Sequence, residues 1–75
     1  MQIKQTYLVK QVLGQKDNPD YRRKLLALGI RPGALITVQH IAPFGDPIQF
    51  DINGSSFSLR RSELAKFLKL ETVNE

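Results

Sequence analysis

The feature that most constrains the fold is Asn53-Gly54, set between two segments in which apolar and polar residues alternate. A type I′ turn needs two residues tolerant of positive φ, and Asn-Gly meets that need better than any other dipeptide. Before it, Ile48, Phe50 and Ile52 alternate with Gln49 and Asp51. After it, Phe57 and Leu59 fall on one face and Ser56 and Ser58 on the other. Such a hairpin commits this part of the chain to an antiparallel sheet with one dry face and one wet one. Upstream, the turn-rich Pro43-Phe44-Gly45-Asp46-Pro47 connects it to Ala34–Ala42, a β-branched stretch with Ile36 and Val38 on one face. The phase breaks after Val38, where His40 takes the inward position and Ile41 is the apolar residue. A bulge near His40 restores it.

Residues 19–28 carry the signals of a short helix. Asp17 or Asn18 caps, Pro19 suits the first helical position, and Asp20 complements the first turn. Tyr21, Leu25 and Leu28 then form one stripe facing a core. Gly29 reads as a left-handed C′ residue with Ile30 as its apolar partner, and Pro32 forbids continuation. Taking about 100° per residue, Leu26 lies off the stripe and is left partly exposed beside Arg22.

The remaining segments are strands and one turn. Thr6 to Leu13, with Tyr7, Val9 and Leu13 mixed among Leu8 and Val12, reads as a first strand ended by Gly14. A short helical turn is expected near residues 61–65, beginning at Arg61 or Ser62, followed by a last strand in which Leu68 and Leu70 alternate with Lys69 and Glu71. Five short, mostly one-sided strands point to a small barrel that closes on itself and removes most of its edges. The helix would cap one open end or pack beside it. In 75 residues this is one domain spanning 1–75, burying only ~60% of the surface its unfolded chain exposes.

Composition then narrows the function. The chain has no cysteine, which excludes disulfides, thiolate metal sites and Cys nucleophiles and points to the cytosol. Its longest apolar run is the four residues Leu25-Leu26-Ala27-Leu28, far short of the ~20 that span a bilayer, and Met1-Gln2-Ile3-Lys4-Gln5 lacks the apolar core of a signal peptide. His40 is the only histidine, and Asp51 and Asp46 belong to a strand face and a turn respectively. No catalytic set, phosphate loop, cofactor site or metal site is expected, so the chain reads as a binding module and not an enzyme. The net charge is +4, with seven bases against two acids in residues 1–35 and four against five thereafter. Bases cluster at Arg22-Arg23-Lys24 and Arg60-Arg61. Nucleic acid is the alternative partner, but it calls for exposed aromatics among the bases. Here the phenylalanines read as inward-facing or loop residues, so protein contact is favoured and no nucleic acid is expected.

The run Lys24-Leu25-Leu26-Ala27-Leu28-Gly29-Ile30-Arg31-Pro32-Gly33, followed by Ile36 and Val38, resembles the helix-to-strand signature of the FeoA family. Pro43-Phe44-Gly45-Asp46-Pro47-Ile48 is similar to that family's P-x-GDP-I connection. Asn53-Gly54 through Leu59-Arg60 and Glu63, ending in Leu68 and Leu70, is similar to its last two strands. The resemblance covers residues 7–71. It implies an SH3-like barrel in the bacterial cytoplasm, peripheral at the inner membrane through its partner. That partner is the GTP-binding membrane iron transporter FeoB, on whose cytosolic part the chain would act as an accessory to ferrous iron uptake.

The matching Leu25, Leu28, Gly29, Pro32, Gly33, Gly45, Asp46 and Pro47 are expected to serve the fold, with the Asp46 carboxylate accepting from nearby backbone N–H groups. Partner contact is then expected from what the fold leaves outside: Arg22, Arg23, Leu26, Phe44, Arg60 and Arg61. Exposed strand edges leave self-association open.

Overall fold

The computed structural model describes residues 1–13 and 18–73. Asp17 and Gly14, read above as a cap and a strand end, lie outside them. The elements run β1 (Thr6–Val12), α1 (Pro19–Ala27), β2 (Leu35–Ile41), β3 (Ile48–Ile52), β4 (Ser55–Leu59), α2 (Arg61–Phe67) and β5 (Leu68–Thr72). The five strands form one antiparallel sheet in the order β4-β3-β2-β1-β5.

The hairpin forms where its sequence requires. Asn53 and Gly54 both have positive φ, 50° and 85°, and Phe50 stands directly opposite Phe57. Their rings stack 5.6 Å apart inside the barrel, while Ser56 and Ser58 face out. The bulge in β2 is present as well. Pairing with β3 slips between Val38 and His40, which turns Ile41 back toward Ile48.

Three expectations need correction. A second bulge, between Val9 and Gln11 against β5, reverses the phase of β1. Val12 therefore turns into the core beside Tyr7 and Val9, while Leu13 is 37% exposed. The turn expected near residues 61–65 extends to Phe67, because Glu63 accepts from the Arg60 amide at the helix start and Leu64 and Phe67 are both buried. Finally, the sheet is not closed by hydrogen bonds. β4 and β5 remain its two edges, and the chain passes between them through α2, whose buried residues fill the core at that seam.

Helix α1 is held at three points. The Asn18 side chain accepts from the Tyr21 amide (3.2 Å) at the start. At the end, Gly29 adopts a φ of 91°, its amide donates to Leu26 O, and the Ile30 amide donates back to Leu25 O, both at 3.0 Å. This double bond is the Schellman closure, with Ile30 fully buried behind it. Between the ends, Leu25 is the one buried residue of the helix, and Tyr21 and Leu28 are half-buried at its flanks. The Tyr21 ring lies 4.5 Å from that of Phe67, which ties α1 to α2.

Candidate functional site

Among the described residues, no group of three or more His, Cys, Asp or Glu gathers to hold a metal. His40 is exposed on the bulged part of β2, and Asp46 and Asp51 lie on different elements. A groove of about 310 Å³ between α1 and β4 is lined by Tyr21, Leu25, Leu28, Phe57 and Leu59, with Lys24 and Glu63 at its rim. Burial, and then the Glu63 carboxylate beside it, push the Tyr21 phenol far above its ordinary range. The two side chains nonetheless stop short of hydrogen-bond geometry. Glu63 is held below its ordinary carboxylate value, first by the Arg60 amide, then by the Tyr21 hydroxyl, and further by the Arg60 and Lys24 charges, with burial opposing them. The two shifts favour an ionised carboxylate beside a protonated phenol.

The six residues expected to meet a partner separate into two clusters. On α1, Arg22, Arg23 and Leu26 line one shallow surface depression together with Pro19. Leu26 is 38% exposed, as its angle from the core stripe requires. Arg23 faces Asp20 at 3.8 Å, with both side chains largely in water. Such a pair contributes little to stability and leaves the guanidinium available.

The second cluster surrounds the β2–β3 connection. Phe44 is 99% exposed at its tip. Behind it, the Arg61 amide donates to Asp46 Oδ1 (2.8 Å), the Arg61 Nε donates to the Gly45 carbonyl (2.6 Å), and the Arg60 guanidinium faces Asp46 Oδ2 at 3.9 Å. Asp46 thus accepts from a backbone N–H, as expected, though one reached across the fold. Its carboxylate occupies an open N–H position at the start of α2, where a negative charge is favoured. Arg61 has a structural task that sequence reading missed. No local signal marks it, because Arg61 meets Gly45 and Asp46 only in the folded chain. Asp46→Ala should cost about 1–3 kcal/mol, the range for a lost hydrogen bond to a charged group. Chemical denaturation measures this, with Asp46→Asn expected to recover part of the loss by keeping an acceptor. An unchanged denaturation midpoint in the alanine variant would show that the latch contributes nothing.

The model of the FeoA domain matches residues 1–67. The chain belongs to the FeoA family. Among solved structures, the FeoA-like protein of Clostridium acetobutylicum is 35% identical, with 100% of this chain and 83% of that one covered at a TM-score of 0.77. A protein from Pseudomonas aeruginosa is 36% identical over 99% of this chain and 96% of its own, at a TM-score of 0.70. FeoA of Stenotrophomonas maltophilia, solved with zinc, is 25% identical over 95% of this chain and 84% of its own, at a TM-score of 0.76. That protein is described as a prokaryotic SH3 domain protein and a candidate activating factor of bacterial ferrous iron transport.

The FeoA family is thus tied to iron transport as a set of accessory factors, not a known catalytic family, and the present FeoA chain shares its SH3-like fold. No helix among the described residues of this FeoA chain is long and apolar enough to cross a membrane.

Proposed function

We propose that the chain is an accessory, regulatory module of ferrous iron uptake in the bacterial cytoplasm. It docks on the cytosolic part of a FeoB-like GTP-binding transporter and is peripheral at the inner membrane through that partner. The observation that carries this reading is the outer face of α1, where Leu26 stands exposed between Arg22 and Arg23 while Leu25 fixes the opposite side of the helix in the core. Arginine is enriched at protein interfaces and among the residues that dominate their energetics, and the exposed Leu26 gives these two an apolar centre. The arginines call for an acidic surface opposite them. Nucleic acid fits less well, because three of the four phenylalanines (Phe50, Phe57 and Phe67) are buried and offer no stacking platform beside the bases.

The test is retention of the full chain on an immobilised cytosolic portion of the transporter. Arg22→Glu/Leu26→Gln should lower retention by roughly tenfold or more, as expected for hot-spot residues. Leu26→Gln alone should show part of that loss without disturbing the half-buried Arg22. Unchanged retention of a folded double variant removes the α1 face from consideration.

A further inference from the structure

The connection between β2 and β3 presents its apolar groups outward. Pro43, Phe44 and Pro47 are all exposed, and Phe44 projects almost wholly into solvent. A loop built this way normally costs little in water, because water satisfies its backbone. This one pairs part of its backbone internally. Pro43 and Pro47 carry no N–H, the Gly45 amide donates to Ala42 O (2.7 Å), and the Ala42 amide donates to Pro47 O (3.1 Å). The Gly45 carbonyl is occupied by Arg61 Nε, and the Asp46 carboxylate by the Arg61 amide. Backbone that is paired internally loses little on entering a place poor in water, and unpaired backbone loses much.

The charges are ordered behind the tip. Arg60 and Arg61 stand against Asp46 and Gly45, the residues that follow Phe44 in the loop. Asp46, the carboxylate held within this latch, is already engaged by the Arg61 amide and faced by Arg60. Arg61 spends Nε on the loop, and among the described residues its terminal nitrogens make no further hydrogen bond, which leaves that edge of the fork for a phosphate. An apolar wedge backed by guanidinium groups reproduces the layering of a bilayer surface, with acyl chains below and phosphates above.

We infer that the Pro43–Pro47 tip is a membrane contact, inserting Phe44 into the headgroup region of an anionic bilayer while Arg60 and Arg61 bind lipid phosphate. The contact is weak, with one aromatic and two cations, and it orients the chain at a membrane more than it anchors it. It does not depend on docking through α1, since it needs lipid alone.

The chain has no tryptophan, so Phe44→Trp places a single reporter at the tip. With vesicles of equal parts phosphatidylglycerol and phosphatidylcholine at low salt, its emission should shift to the blue. With phosphatidylcholine alone it should stay unchanged. In co-sedimentation of the otherwise unaltered chain, Phe44→Ser should weaken binding to the anionic vesicles by roughly tenfold or more, the loss expected when a buried phenyl ring is removed. Arg60→Gln should weaken it further and flatten its salt dependence. Because Phe44 is 99% exposed, its substitutions keep the fold, and circular dichroism checks this for them and for Arg60→Gln, which also gives up the Asp46 pair. Three results would each overturn the inference. One is an unshifted emission on anionic vesicles. Another is Phe44→Ser sedimenting like the parent, which would mean that the overall charge alone binds. The third is a blue shift that appears only when the transporter's cytosolic part is added without lipid, which would make the tip a protein anchor.

Discussion

Phe50→Ala should remove a large share of the stability of the fold. Phe50 has no exposed surface, stacks on Phe57, and sits in the middle strand of the hairpin meander, between β2 and β4. Truncating a buried phenylalanine costs about 3–5 kcal/mol through lost burial plus the cavity left behind. At ~0.05–0.15 kcal/mol per residue, a 75-residue chain commands only about 4–11 kcal/mol in all. The substitution therefore removes a large share of what holds the fold, and the melting temperature should fall by on the order of 12 °C or more. Thermal and urea unfolding read this directly. A loss below about 1 kcal/mol would mean that the ring is not packed as described.

Leu25→Ala should have the second largest effect, and a more local one. Leu25 is 1% exposed and is the only residue that α1 buries completely. A helix of nine residues does not persist by its own propensity, so its place depends on that anchor together with the Ile30 closure and the Tyr21–Phe67 contact. The expected cost is about 2–5 kcal/mol. Its distribution is the informative part. Amide exchange in residues 19–28 should accelerate at concentrations of denaturant that leave β2 and β3 protected, because α1 touches the sheet through few side chains. Retention on the transporter's cytosolic part should fall as well, since Arg22 and Leu26 lose their fixed relation to the barrel. Uniform acceleration across the sheet would instead make Leu25 part of the global core.

The sequence was most legible where one local rule decided the outcome. Asn53-Gly54 dictates its turn, the alternation around it dictates which side chains are buried, and Gly29 with Ile30 and Pro32 dictates the end of α1. Legibility failed where tertiary partners decide. In β1 nothing local marks the slip after Val9, which is imposed by pairing with β5 and brings Val12 inward in place of Leu13. The length of α2 depends on Phe67 reaching the core and Tyr21, and no propensity records that. A barrel closing on itself was expected from five short, mostly one-sided strands, whereas the placement of α2 between β4 and β5 leaves those two strands as edges. Among the surface residues, exposure of Leu26 followed from helical angle. The sorting of Arg60 and Arg61 with Phe44, and apart from Arg22 and Arg23, needed the fold, because it brings together positions 15 or more residues apart.

The Asp46–Arg61 bond joins two positions 15 residues apart and encloses β3, the hairpin and β4 between them. Small secreted domains tie such spans with a disulfide, an option closed to a chain without cysteine. The carboxylate–amide bond differs from a covalent staple in one respect. It does not restrict the unfolded chain, so it acts entirely on the native side of the equilibrium. Its effect is on the size of the unit that opens. Peeling the hairpin from the sheet, or lifting the start of α2, breaks this bond in either case. The bond thereby couples the opening of the loop, the hairpin and the start of α2.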